Sequence, residues 1–326
     1  MMNHALLHVS DLQVCYRTRG FSIDAATGVT VTVGSNECVA LIGESGSGKS
    51  TIANAVLRIL PENAVIARGK VVFKGTDLIT LTEEQMREVR GKDISMIFQD
   101  PHSSLNPVLK IGDQLIETIM THHPALGREK AKERATELLD LVRISDPSKI
   151  LGRYPHQLSG GMAQRVAIAQ GLSSSPSLLI ADEPTSALDL TIQAQILKLI
   201  KGLMSTLKLS VLLITHDLSL VSNLADKVYV MYAGNIVEED NIDGIYSDPK
   251  HPYTVLLLEA VKKLQGTSTS QHSITESTKP SEPSTCRFHP RCPVLSSKCR
   301  QERPPYVQLQ SGKKVLCWLS ASSVEK

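Results

Sequence analysis

Glu37-Cys38-Val39-Ala40-Leu41-Ile42-Gly43, continued by Glu44-Ser45-Gly46-Ser47-Gly48-Lys49-Ser50-Thr51, is the stretch that decides the fold. The first run is apolar and ends on glycine, which predicts a buried strand. From Gly43 to Ser50 the chain fits G-x-x-x-x-G-K-[ST], a loop that wraps phosphate. A helix is expected from Lys49 to Leu60, stopped by Pro61. Strand, loop and helix in this order are the setting that the motif requires. The glycines let the backbone close on an anion with its N–H groups turned inward, and the helix start adds partial positive charge. Lys49 then reaches the β- and γ-phosphates, and the Ser50 hydroxyl binds Mg²⁺. A glycine-rich turn can imitate the loop by chance, but rarely with its strand and helix as well. The motif says nucleotide binding without choosing among GTPases, kinases and transport ATPases.

Outward from the loop, strands alternate with helices. Residues 6–42 read as short strands, and Gly69–Phe73 as another. Ser177–Ala181 is an apolar strand that ends in Asp182-Glu183, and Leu209–Thr215 is a further buried strand. Ala131, Ala135, Leu138, Leu139 and Val142 share one face of a helical stretch from Gly112 to about Ile144. Ile192, Ile196, Leu199, Ile200, Leu203 and Leu207 mark a second amphipathic helix. The alternation predicts a parallel α/β sheet, interrupted near 101–170 by a helical lobe. Residues 266–285 are rich in Ser, Thr and Pro and read as a flexible linker, which divides a domain of residues 1–265 from a Cys-rich C-terminal module of residues 286–326.

The 326 residues carry a formal net charge of only +2, which argues against a nucleic-acid partner. No apolar run approaches the roughly 20 residues that span a bilayer, and the first residues lack the pattern of a signal peptide. The expected place is therefore the cytoplasm, with membrane contact made through partners. Four of the six cysteines, Cys286, Cys292, Cys299 and Cys317, crowd the C-terminal end. Clustered thiols in a reducing compartment more often bind metal than form disulfides. Four thiolates suit a [4Fe–4S] cluster or a zinc ion, with His289 as an alternative ligand, and four free thiols in a loose tail are the plain alternative.

Leu158-Ser159-Gly160-Gly161-Met162-Ala163-Gln164 chooses among the nucleotide-binding classes. Ser159 and the amides of Gly160 and Gly161, at the start of a helix running from Met162 to about Leu172, form a second anion site. The run lies shortly before the strand that ends in Asp182-Glu183. It resembles the signature sequence of ABC ATPases. The resemblance covers residues 6–260 and implies an α/β P-loop NTPase cassette with a RecA-like parallel sheet core, an antiparallel β subdomain and a helical lobe. Asp182 is then placed to hold the Mg²⁺ shell, together with Ser50 and Gln99, and Glu183 to polarise the attacking water. Gln99, in Ile97-Phe98-Gln99-Asp100-Pro101, matches the family's glutamine loop. Ser186-Ala187-Leu188-Asp189 matches the loop that communicates across a dimer, and His216 the switch histidine on the γ-phosphate. Tyr16 holds the usual place of the aromatic that stacks on adenine.

His251-Pro252-Tyr253-Thr254, with the cysteine-bearing tail, is similar to the ATPases of peptide/nickel-type ABC importers, the dipeptide and oligopeptide permease group. This likeness implies ATP and Mg²⁺ as ligands, an iron–sulfur cluster rather than zinc on the tail, and a peripheral position on the cytoplasmic face of the inner membrane. It also implies two integral-membrane permease subunits, an extracytoplasmic solute-binding protein and a second, homologous ATPase. One chain has one phosphate loop and one signature, and in the family these serve different nucleotides of a dimer. The rival is a soluble ABC ATPase of DNA repair, chromosome structure or translation. Those proteins insert a long coiled coil between loop and signature or carry two cassettes, and this sequence does neither. Peptide, nickel chelate, opine-like metallophore and glycoside all remain possible cargo.

Overall fold

The first two strands, Ala5–Thr18 and Phe21–Gly34, both change their buried face part-way. Leu7 and Val9 point inward before Asp11, and Leu12 and Val14 after it; the switch falls at Asp11, whose φ is 48°. Opposite, the partner strand buries Ala26 and then Val29, Val31 and Val33, switching at Gly28 with φ 65°. A residue inserted into one strand turns every later side chain to the other face, so matched irregularities keep both strands on one core. The sequence predicts short strands here, and these bulges are why two long strands read as several short ones. The computed structural model describes residues 5–18, 20–186, 188–264 and 282–324. Most of the predicted linker lies outside the described residues.

The chain divides into two compact units. One is built chiefly from Phe73–Ile214. Its strands Ile94–Ile97, Leu178–Asp182 and Ser210–Thr215 run parallel, with Ile94 beside Leu178 and Leu178 beside Ser210. The last two are buried along their whole length, as a parallel strand covered on both faces must be. The helical lobe comprises Pro101–Ser104, Ile111–His122, Arg128–Leu141, Pro147–Leu151 and Gly160–Gly171. The single helix expected between Gly112 and Ile144 is thus two helices. Pro124 directly follows His123, the C-cap of the first, and a residue before proline is driven out of the helical region. All five predicted core residues of the second helix region, Ala131 to Val142, are buried. Helix Leu190–Leu207 buries Ile196, Leu199, Ile200 and Leu203 as expected, but Leu207 at its end is 39% exposed.

The other unit contains Leu7–Thr32, Cys38–Val72 and Thr215–Lys326. Here the strand Cys38–Ile42 runs parallel to Lys227–Tyr232, with Val39 beside Lys227. Asn235–Asn241 pairs antiparallel to Lys227–Tyr232. Two strands of the tail continue that sheet: Lys314–Leu316 pairs with Asn235–Asn241, and Tyr306–Gln308 with Lys314–Leu316. The helix Lys49–Val56 is shorter than the predicted Lys49–Leu60. Arg58 takes a left-handed φ of 53°, and Ile59 N–H donates back to Asn54 O at 2.9 Å, closing the helix before Pro61 is reached. Among the described residues no helix is long and apolar enough to cross a membrane.

Candidate nucleotide site

The phosphate loop leaves the strand Cys38–Ile42 and enters the helix Lys49–Val56. Gly48 caps that helix at φ 104°, and a Cβ there would collide with the Ala25 carbonyl oxygen, so only glycine fits. A Cβ at Gly43 would collide with the Met231 carbonyl oxygen. The loop is tied internally by Ser47 N–H donating to Glu44 O at 3.1 Å, and externally by Gly234 N–H donating to Ser47 O at 2.9 Å. Lys49 is 4% exposed, and its ammonium donates to Gly43 O at 2.8 Å and Glu44 O at 2.9 Å. Ser45, Gly46 and Ser50 lie at the surface, and the hydroxyl of buried Ser47 makes no hydrogen bond within the protein. A Cβ at Gly46 would meet nothing within 4 Å. A buried donor without a protein acceptor, in a loop with an adjoining lysine and open space at its tip, fits a phosphate group. The Tyr16 hydroxyl lies 3.2 Å from Thr51 Oγ1, with the ring half-buried beside the loop's helix.

Glu44 is held at both ends. Its N–H donates to the Tyr253 hydroxyl at 2.9 Å, and its carboxylate accepts two bonds from the Arg291 guanidinium, each 2.8 Å. Sequence reasoning missed Arg291 altogether. Tyr253 belongs to the quoted His-Pro-Tyr-Thr run, so a signal existed for it, but nothing local ties either residue to position 44.

In the other unit, Asp182 and Glu183 stand at the end of the strand Leu178–Asp182 as predicted. Asp182 is buried. Glu183 has a φ of 46°, a conformation uncommon for glutamate, and its N–H donates to Ile214 O at 2.9 Å. Gln99 Nε2 donates to Glu183 Oε2 at 3.1 Å, so the structure brings together two of the predicted catalytic side chains. A strained backbone and an amide on the carboxylate fix its direction, which suits a group that must orient water.

Ser159 caps the helix Gly160–Gly171, accepting from Met162 N–H at 3.4 Å. Gly160 and Gly161 form the helix's first positions and pack closely. A Cβ at Gly161 would lie 2.8 Å from Ile192 Cγ2, and one at Gly160 would lie 3.2 Å from Leu188 Cδ2. Asp189 caps the helix Leu190–Leu207 through Ile192 N–H at 3.0 Å, which explains it structurally as well. Ala187 lies outside the described residues. His216 directly follows the strand Ser210–Thr215, where the sequence places it.

The tail cysteines are all reduced, with Cys299 and Cys317 buried and Cys286 and Cys292 half-buried. Cys286 N–H donates to Cys299 O at 3.1 Å, and the Ser296 hydroxyl lies 3.2 Å from Cys299 Sγ. Burial pushes the Cys286 thiol up to about 11, and the other three thiols nearby push the same way. Burial also raises Cys292 and Cys317. Among the described residues no three His, Cys, Asp or Glu side chains are gathered so as to hold a metal ion. The four thiols are thus neighbours, with the donor count of a cluster but not its spacing.

A wrapped phosphate loop, a carboxylate pair ending a parallel strand with a glutamine on the second carboxylate, and a Ser-Gly-Gly helix start define a nucleotide-hydrolysing cassette. Solved proteins that share the fold include the bacterial ABC transporter cassette MJ0796, with a TM-score of 0.65, 26% identity, and coverage of 72% of this chain and 98% of that one, and cbiO1 of Clostridium perfringens, with a TM-score of 0.64, 25% identity, and coverage of 80% and 99%. Residues 26–186 match the ABC transporter family, and residues 237–299 match the oligopeptide/dipeptide transporter C-terminal region. The oligopeptide transport ATP-binding proteins OppD and AppD of Bacillus subtilis are each 43% identical over 96% of this chain, which corresponds to 88% and 96% of their own lengths. The chain belongs to the ATP-binding proteins of the ABC transporter family, and it is an ATPase whose hydrolysis is coupled to transport.

Proposed function

We propose that this chain powers the import of peptides through partner permease subunits. The reading is carried by the match of residues 237–299 to the oligopeptide/dipeptide transporter C-terminal region, in a chain with a complete phosphate loop. Relatives named for oligopeptide transport, aligned over nearly the whole chain, support it. Gly43 to Thr51 cradle the phosphates, with Lys49 on the β- and γ-phosphates, and Tyr16 stacks on adenine. Ser50, Gln99 and Asp182 hold Mg²⁺, which when bound neutralises phosphate charge. Glu183 takes the proton of the attacking water, and His216 contacts the γ-phosphate. Ser159, Gly160, Gly161 and Asp189 serve a nucleotide held by the second ATPase of a dimer. Structures that resemble this chain are described as dimeric. The second ATPase is a homologue rather than an identical copy, and the pair sits on the cytoplasmic face of the inner membrane beneath two permeases fed by a solute-binding protein.

Residues 1–265 act as the ATPase domain and 286–326 as a Cys-rich module joined by the linker 266–285. Cys286, Cys292, Cys299 and Cys317 hold a [4Fe–4S] cluster as a structural pin, with zinc as the alternative metal. The four adjacent reduced thiols support this reading, and it requires them to draw closer than they stand here. Iron and sulfide analysis after anaerobic purification tests it; a colourless protein with stoichiometric zinc selects zinc, and a metal-free protein that still transports rejects both. For the main reading, the complex is reconstituted with its permeases and binding protein, and ATP-dependent uptake of labelled peptides is followed. Uptake of a nickel chelate or glycoside in place of peptide would overturn the cargo assignment.

A further inference from the structure

We propose that Arg291 is a positioning residue for the phosphate loop, through which the cysteine-bearing tail sets the affinity of this chain's own ATP site. The inference rests on the phosphate-loop assignment and not on the cargo or metal readings. Both partners lie in the same unit, and the contact joins positions 247 residues apart.

Three observations carry it. First, the ion pair is not an ordinary surface bridge. The two terminal guanidinium nitrogens each donate to one carboxylate oxygen, both at 2.8 Å, and the arginine side chain is only 8% exposed against 38% for Glu44. The guanidinium lies 5.6 Å from the Tyr232 ring centre and 6.0 Å from that of Phe288. A cation so desolvated needs its carboxylate, so the pair holds Glu44 in one place. Second, Glu44 is the first residue after Gly43, and its carbonyl oxygen accepts bonds from both the Lys49 ammonium and Ser47 N–H. Shifting Glu44 therefore shifts the lysine that meets the phosphates. Third, the tail residue acts with a built platform. Tyr253, which accepts Glu44 N–H, packs on Tyr232 at 4.8 Å and on Phe288 at 5.5 Å between ring centres. Arg291 closes the short turn His289–Arg291 and is followed directly by Cys292, so the backbone of the cysteine segment sets the arginine. A loop held in its binding shape before the ligand arrives loses less entropy on binding.

The test is a double-mutant cycle in the full chain within its transporter complex, reading nucleotide affinity with a fluorescent ATP analogue and KM and kcat with ATP. Arg291→Ala and Glu44→Ala should each weaken binding and raise KM by about fivefold or more, the lower end of measured site-to-site couplings. For Arg291→Ala, kcat at saturation should stay within about twofold, the signature of lost binding rather than lost chemistry. The double variant should resemble either single variant, since each removes the same pair. Arg291→Lys, which keeps the charge but not the two-pronged geometry, should restore affinity only in part. Thermal unfolding of each variant separates this from general loss of fold. Unchanged KM in a folded Arg291→Ala variant, or effects of the two single variants that multiply in the double, would overturn the proposal. A wild-type chain that binds no nucleotide would instead refute the phosphate-loop assignment.

Discussion

The chain has two helix starts suited to anions, and it builds them by opposite means. At the phosphate loop the chain encloses its ligand site. Ser47 and Lys49 are each 4% exposed, Gly234 N–H reaches in from a neighbouring strand turn, and Tyr253 and Arg291 hold Glu44 from behind. At the signature the helix start is nearly bare: exposed Ser159 caps it, and the two glycines are committed to packing against Leu188 and Ile192. An uncovered helix terminus contributes only about 0.3–1 kcal/mol toward a negative charge, whereas a wrapped loop with a buried lysine contributes several such terms together. The first arrangement can hold a nucleotide alone. The second is suited only to covering one presented to it, which supports the proposed pairing with a second ATPase.

The largest effect should come from a residue in neither structure. Glu183→Gln keeps the Gln99 contact and the strand end but removes the proton acceptor. Hydrolysis by the complex should fall by about a hundredfold or more while nucleotide binding persists, as measured by phosphate release and by nucleotide retained on the protein. Normal turnover in this variant would remove Glu183 from the role of base and leave the comparison without its catalyst.

Lys49→Ala strikes the wrapped site directly. Removing the ammonium from the loop's carbonyls and from the β- and γ-phosphates should weaken ATP binding by about a hundredfold, within the range for truncating one partner of a buried charge contact. Titration with a fluorescent nucleotide reads this. If the variant binds normally, the loop's amides suffice alone and the two helix starts differ less than their burial indicates.

Gly161→Val tests the bare site by packing instead of charge. A Cβ at this position already lies 2.8 Å from Ile192 Cγ2, which belongs to a stiff β-branched side chain. The expected cost is about 1–3 kcal/mol of stability, read as a fall in the chemical-denaturation midpoint. ATP binding at the chain's own loop should remain, while hydrolysis by the assembled complex should drop. Loss of nucleotide binding in a folded variant would show that the two sites are not separable.

These regions also differ in how far they could be read before folding. The loop Gly43–Ser50, its leading strand and the Ser-Gly-Gly helix start are local patterns, and each appears where the residues place it. The carboxylate pair was legible only through the phosphate loop before it, because an apolar run ending in two acids is by itself as well read as an ordinary buried strand. The end of helix Lys49–Val56 was not legible, since it depends on Arg58 entering a left-handed conformation that its side chain does not advertise. Nor could the two bulges at Asp11 and Gly28 be read, because a switch of buried face within a strand looks like a turn. The strands Tyr306–Gln308 and Lys314–Leu316 of the tail, which complete a sheet begun by distant strands, could not be read from the sequence. The tail's pairing with Glu44 and with Asn235–Asn241 is set by tertiary contacts that no spacing rule encodes.

The smallest effect separates the two sites by pH. Behind the phosphate loop, His251 is 2% exposed, and its Nδ1 accepts Tyr253 N–H at 3.0 Å, so that nitrogen must be unprotonated. Burial lowers its pKa from 6.5 to about 3. The Phe288 ring lies 5.5 Å away, and the Glu238 carboxylate beside it is already engaged by the backbone N–H groups of Lys250 and His251 and by Lys313. His156, near the signature turn, is exposed. The unfolded chain therefore binds a proton at position 251 below pH 6.5 that the folded chain refuses until about pH 3. This contribution to stability is complete above the unfolded pKa and is lost as pH falls through that window. Asparagine at 251 can accept the same N–H two residues on but cannot be protonated there. His251→Asn should therefore flatten the fall of the unfolding free energy between pH 6.5 and pH 4 relative to the parent, measured by denaturant titration at several pH values. An identical slope in parent and variant would place the acid sensitivity elsewhere and remove the imidazole from the support of the phosphate loop.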